Sequence, residues 1–227
     1  MTEGGREAIA ANEPLVDTLV LDPARDFRRG ISLILPVRPE ESAYSELIAA
    51  MSGMEPDQYY YPIADLHVTI FDFASARAGF AKDATREAVF LDIASRACAG
   101  TEPFELRLEG IAFSREAGMM AGYDGGALVD LRSRIRAALS AAGIKNDERY
   151  RSRSAHCCFM RFAAKLRSPR RFLGEIEAWE EVRFGAASPG AARLVEHDWY
   201  NRQASLRDLG ICRLEAGNGD RYAEPGP

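Results

Sequence analysis

Two short segments constrain this chain more than any others. The sequence contains three histidines, and two of them open patterns of the same form, His67-Val68-Thr69-Ile70 and His156-Cys157-Cys158-Phe159. Each pattern lies inside a run of apolar, β-branched and aromatic residues, Leu66 to Phe73 and Ala155 to Phe162, that reads as a buried strand. Residues two apart on a strand share a face. Thr69 therefore stands beside His67, and Cys158 beside His156. A single histidine on an apolar strand is most simply a core imidazole with its hydrogen bonds satisfied. Two copies of one pattern, one in each half of the chain, imply two strands brought together to place two imidazoles side by side.

The rest of the sequence limits what that pair serves. At 227 residues and 47% hydrophobic content, the chain is long enough to bury a substantial core. It has no apolar run of membrane-spanning length, and Met1 to Asp22 lacks the basic-then-apolar order of a secretory signal, so a cytoplasmic protein is expected. Cys98, Cys157, Cys158 and Cys212 show no paired spacing of the kind that holds zinc or builds a disulfide framework, so reduced thiols are expected. The formal net charge of -5 argues against bulk electrostatic coating of nucleic acid. Locally the balance reverses: Lys145 to Arg171 holds nine basic residues against Asp147 and Glu148. That excess surrounds His156 and is either a solvated face or a positive rim for a phosphate.

In chain order, residues 1–29 lack clear periodicity and read as an arm, with room for a short helix. Ile31 to Val37 is a short strand closed by prolines. Glu41 to Met51 has helical spacing, and Asp57 to Pro62 is an aromatic loop leading to the first motif. The first motif strand covers 65–73. A helix spans Ala84 to Ala99, strands follow at 104–113 and 118–123, and the clearest helix runs from Ala127 to Ala142. On that helix Leu128, Leu131, Ile135 and Leu139 form the apolar stripe, with Arg132 placed mostly off it. The second motif strand covers 155–163. A helix starting at Pro169 and strands at 192–200 and 206–214 complete a domain over 30–214, and 215–227 reads as a frayed tail. Strands that follow one another through short turns favour an α+β fold with antiparallel or mixed sheets. No phosphate-binding glycine loop is present.

Two imidazoles across a cleft can work as an acid–base pair without metal. One takes a proton from an attacking hydroxyl or water; the other gives one to the leaving oxygen. This suits a phosphodiester, whose non-bridging oxygens need donors such as the Thr69 hydroxyl. By strand parity Phe71 and Phe73 share the histidine face and border a base or sugar, while Arg161 faces away. Tyr59 and Tyr61, on the approach to His67, and Arg153, just before the second motif, are further substrate-binding candidates, with Arg149, Tyr150 and Arg151 near them. His197 has no companion at metal-ligand spacing and reads as structural or surface.

Two His-x-(Thr/Ser)-hydrophobic motifs on strands resemble the 2H phosphoesterase superfamily, which includes LigT-like RNA 2′,3′-cyclic phosphodiesterases and 2′-5′ RNA ligases. The likeness of layout covers roughly 30–214. It implies a bilobal α+β fold with a pseudo-twofold axis: two antiparallel or mixed sheets, helices on their outer faces, and both motifs in a central cleft. It also implies catalytic His67 and His156, phosphate contacts from Thr69 and Cys158, and no metal or cofactor. The partner it implies is a nucleotide or RNA terminus bearing a cyclic or 2′-phosphate, met by a monomer. The departure is Cys158, where the family pattern has a hydroxyl. A thiol is a weak donor, which leaves room for a non-catalytic nucleotide- or RNA-end-binding protein. A 2′-5′ RNA ligase is the other alternative.

Overall fold

The computed structural model describes residues 3–149 and 151–215. Among them, the elements run α1 (Glu3–Ala10), β1 (Arg29–Pro36), α2 (Glu41–Met54), β2 (Tyr59–Tyr60), β3 (His67–Arg77), α3 (Ala84–Ala99), β4 (Leu106–Phe113), β5 (Ala117–Tyr123), α4 (Ala127–Ala141), β6 (Ala155–Arg161), α5 (Pro169–Ala178), β7 (Arg183–Ala187), β8 (Ala191–Asp198) and β9 (Arg207–Arg213). The fold is α+β, as the element pattern predicts. β7, at the sheet edge, and the two-residue β2, on the end of β6, are additions; so short a run carries little periodicity. Expectations for the tail fall almost entirely outside the described residues.

The strands form a nine-stranded sheet in the order β7-β4-β5-β6-β3-β1-β8-β9, with β2 attached to β6. Every pairing is antiparallel. The two expected sheets are thus two halves of one, and they meet at a narrow seam. β3 and β6 share a single residue pair, Val68 with Cys157, whereas β1 and β3 pair along most of their length. α3 and α4 cover the β3-β1-β8-β9 half, where the Phe73 ring lies 4.9 Å from Phe90 of α3. α5 covers the other half through Phe172, 5.1 Å from Phe113, with α1 and α2 against it. Val68, Cys157 and Phe159 are buried on the helix side. His67, Thr69, His156 and Cys158 keep partial exposure on the opposite face.

Residues before 30 pack against this body. Ile9 is fully buried, and the Asn12 side chain both donates to and accepts from the Leu166 backbone. The Asp17 N–H reaches the Phe162 carbonyl at 2.9 Å. No helix among the described residues is long and apolar enough to cross a membrane.

The seam has a second fastening. Arg132 of α4 is 1% exposed, although its position off the apolar stripe predicts a solvated side chain. Its Nε donates to the Ile70 carbonyl at 2.8 Å, and its Nη2 donates to the Thr69 and Ser154 carbonyls at 3.1 Å each. One guanidinium thus supplies donors to β3 and to the lead-in of β6, where the strands part and no longer supply them to each other. Buried carbonyls without donors are costly. Arg132→Ala is therefore expected to destabilise the fold by about 2–4 kcal/mol, read as a lower urea midpoint at unchanged m-value. Loss of less than about 0.5 kcal/mol would show that the seam does not depend on it.

Candidate active site

The antiparallel register through Val68 and Cys157 places His67 opposite Cys158 and Thr69 opposite His156. The four side chains make a compact square astride the seam. The histidines occupy one diagonal, with Cβ atoms about 7–8 Å apart for such neighbours. An open cleft with a cavity volume of about 120 Å³ lies over this square, and all four residues line it. Tyr61, Asp72, Glu148, Arg149, Arg161 and Trp199 also line it.

His67 Nδ1 lies 2.8 Å from the carbonyl oxygen of Asp65. A carbonyl only accepts, so Nδ1 carries a proton and Nε2 is the nitrogen left for the cleft. Burial pushes the His67 pKa down to about 4, with the positive character of His197 and Arg161 adding to the effect. His156 is also pushed down to about 4, first by burial and then by the charges of Arg132 and Arg161 and by His67. With pKa values lowered to about 4, both rings are neutral at pH 7.

Arg161 corrects the parity argument. On a regular strand it would face away from His156, but β6 carries an irregularity: Met160 pairs with Gly118 and Cys158 with Met119, which leaves Phe159 as an extra residue. Such a bulge shifts the alternation by one. Arg161 consequently lines the cleft, with Nη2 3.9 Å from Cys158 Sγ and Nε 3.3 Å from the Tyr61 hydroxyl. The first motif does the same. Leu33 pairs with Phe71 and Ile34 with Thr69, so Ile70 is an extra residue of β3. The bulge falls three residues after the histidine in both strands, and five residues after it stand Asp72 and Arg161, both on the cleft. A bulge has no fixed sequence signature here, which is why counting by twos misses both residues.

The other candidates divide. Tyr61 is at the cleft, held there by its N–H on the Phe159 carbonyl at 2.9 Å. Phe71 touches the cleft wall, but its ring is buried, edge-on to Phe73 and 5.7 Å below the Arg136 guanidinium. Phe73 is turned to the helices by the bulge and stays off the cleft. Tyr59 does not line it either: its ring packs against Tyr61 and Tyr200 with Arg202 above. Arg153 and Arg151 are exposed outside the cleft, whereas Arg149 lines it, 4.4 Å over the Trp199 ring. Tyr150 lies outside the described residues. His197 is buried and lines the cleft, bonded to Ser32. Nothing in its sequence neighbourhood pairs it with residue 32; only the register of β1 and β8 does so.

A model of the 2′-5′ RNA ligase superfamily matches residues 38–188, which span both histidine motifs. A search of the curated proteins returns no match. Among solved structures, TT0787 of Thermus thermophilus is similar at 18% identity and a TM-score of 0.55, covering 84% of this chain and 99% of that one. Escherichia coli LigT in its apo form is similar at 13% identity and a TM-score of 0.50, covering 84% and 98%. LigT complexed with NADP+ gives 12% and 0.51, with 84% and 99% covered. These likenesses concern the fold.

The buried imidazoles make stability depend on pH. An unfolded histidine titrates near about 6.5, so between there and about 4 the unfolded chain binds more protons than the folded one. Stability is full above that window and is lost as pH falls through it. Urea midpoints are expected to fall from pH 7.5 to pH 5, and to fall less in a His67→Gln/His156→Gln double variant. An equal fall in both proteins would mean that the histidines are not the cause.

Proposed function

The chain belongs to the 2′-5′ RNA ligase superfamily, and on that premise we propose that it is a metal-independent phosphodiesterase hydrolysing a 2′,3′-cyclic phosphate, or a related 2′-5′ linkage, on a nucleotide or RNA end. The observation that carries this reading is the pair of imidazoles set diagonally on adjacent strands, with Thr69 and Cys158 on the other diagonal and the Arg161 guanidinium beside them.

The phosphate sits over the square. The Thr69 hydroxyl and Arg161 meet its non-bridging oxygens, and the thiol of Cys158 adds a weak donor. His67 is the general base, because the Asp65 carbonyl fixes the tautomer that leaves Nε2 with a lone pair. It takes a proton from water as the water oxygen bonds to phosphorus. His156 gives its proton to the ribose oxygen as the ester bond breaks. With both rings depressed to about 4, the protonated acid is scarce in the free enzyme at neutral pH; the negative phosphate raises that population by favouring imidazolium. LigT, similar in fold, has been crystallised in complex with NADP+.

His67→Ala and His156→Ala are each expected to abolish turnover of 2′,3′-cyclic nucleotides, with chelator without effect on the wild type and kcat/KM rising as pH falls from 8 towards 5. Cys158→Thr, which restores the hydroxyl, should raise kcat/KM by about 5- to 150-fold, the equivalent of about 1–3 kcal/mol for one donor. Full activity in either alanine variant overturns the two-histidine mechanism. Nucleotide binding without turnover in both the wild type and Cys158→Thr would favour the second reading, a nucleotide- or RNA-end-binding protein, which the thiol at position 158 motivates.

A further inference from the structure

At one side of the square, Asp72, Ser32 and His197 form a row across β3, β1 and β8. Ser32 pairs with Asp72 in the ladder, and His197 stands opposite Gly30 on the next strand. Ser32 Oγ is 2.6 Å from Asp72 Oδ1 and 2.7 Å from His197 Nε2. His197 Nδ1 is 2.5 Å from the carbonyl oxygen of Asp198. Ser32 and His197 are buried, while Asp72 keeps partial exposure; Asp72 and His197 both line the cleft. The two-histidine reaction uses none of the three.

Counting protons fixes what this row offers. The Asp198 carbonyl only accepts, so Nδ1 of His197 is protonated. The two remaining bonds, from Nε2 to Ser32 and from Ser32 to Asp72, each need one proton. The hydroxyl supplies one. The other comes from Asp72 as a carboxylic acid or from His197 as an imidazolium, and the row holds one shared proton in either case. Burial raises the Asp72 pKa and lowers that of His197, which favours the neutral arrangement. In both arrangements Oδ1 is engaged with Ser32 and the outer oxygen of Asp72 is an acceptor. The row as a whole carries no net charge in either arrangement, so it offers an acceptor beside the phosphate site without the full repulsion of an unpaired carboxylate. Glu148, the other cleft carboxylate, is neutralised by two 2.7 Å bonds from Arg136; Arg149 faces Asp72 from the cleft side, and Arg132 from behind the sheet.

We propose that the Asp72–Ser32–His197 row is a nucleoside subsite, in which the outer oxygen of Asp72 accepts a hydrogen bond from a ribose hydroxyl or base N–H. It rests on the phosphoester reading for the position of the phosphate, over Thr69. Asp72 stands three positions on, with one residue bulged, so the offset is that of two regular residues, about 7 Å. That is the reach from phosphorus to the far side of its nucleoside.

The test is calorimetric titration with adenosine 2′-monophosphate and, separately, inorganic phosphate, with each variant checked by thermal unfolding. Asp72→Ala is expected to weaken nucleotide binding about tenfold or more, the worth of one buried hydrogen bond, and to leave phosphate binding within about twofold. Asp72→Asn should stay within about threefold for the nucleotide, because its amide N–H can take the acid's place towards Ser32 and leave the oxygen to the cleft. Ser32→Ala severs the row, leaves a carboxylate beside the phosphate, and should weaken nucleotide binding while Asp72 is still present. The proposal is overturned by equal effects of Asp72→Ala on both ligands, by no effect on either, by Asp72→Asn losing as much as Asp72→Ala, or by a wild type that binds the nucleotide no better than phosphate. Binding needs no turnover. A protein that binds as expected but leaves 2′,3′-cyclic nucleotides intact overturns the phosphodiesterase reading and not the subsite.

Discussion

The Arg132 guanidinium holds the place where two half-sheets become one. β3 and β6 share one residue pair, and beyond it they diverge. Divergence opens the cleft on one face, but on the other it strips backbone carbonyls of their partners. Arg132 answers both sides of that gap from α4, with bonds to Thr69, Ile70 and Ser154. A neutral side chain could not supply three donors in a fixed plane. The cost is a buried positive charge close behind the histidines, which adds to burial in lowering the His156 pKa. The feature that makes the cleft structurally possible thus also contributes to keeping His156 neutral.

The paired bulges are the second half of the same solution. A regular strand offers alternate side chains to a cleft, so a histidine and a hydroxyl two residues on exhaust its short central stretch. Inserting Ile70 in β3 and Phe159 in β6 reverses the alternation just beyond the motif and delivers a third polar residue, Asp72 or Arg161, to the same face. The halves are alike in geometry and opposite in charge. One provides a cation, Arg161, at the cleft. The other provides an acid whose charge is shared away through Ser32 and His197.

This explains which parts can be read from the sequence. His67, Thr69, His156 and Cys158 follow from a period of two, and that period survives from 67 to 69 and from 156 to 158. The helices at Ala84–Ala99 and Ala127–Ala141 follow from a period of 3.6 and their glycine or N-cap boundaries. The misses are residues whose roles depend on register. Parity sends Arg161 and Asp72 to the far face, and the extra residue just beyond each motif reverses that. Arg132 breaks the expectation that an arginine off the apolar stripe is solvated, because the unpaired carbonyls it serves exist only once β3 and β6 are side by side. His197 has no visible companion in the sequence, since Ser32 lies 165 positions away. Arg153 fails for the converse reason: proximity in sequence to His156 is not proximity to its ring.

The thiol at position 158 takes on a different weight in this setting. Read from the sequence, it is a lost donor. In the folded site its sulfur lies 3.9 Å from Arg161 Nη2, and the guanidinium reaches the same part of the cleft through the β6 bulge. A charged donor to phosphate is roughly twice as strong as a neutral hydroxyl. Under the proposed function an anion there is still met, but by a group at the end of a long side chain instead of one fixed to the strand. Binding tolerates that substitution better than catalysis does, because a transition state asks for donors placed to within a fraction of an ångström. On the proposed phosphodiesterase function, affinity for phosphate and the rate of its transfer are therefore separable quantities, the first carried mainly by Arg161 and the second by how closely position 158 can follow the moving charge.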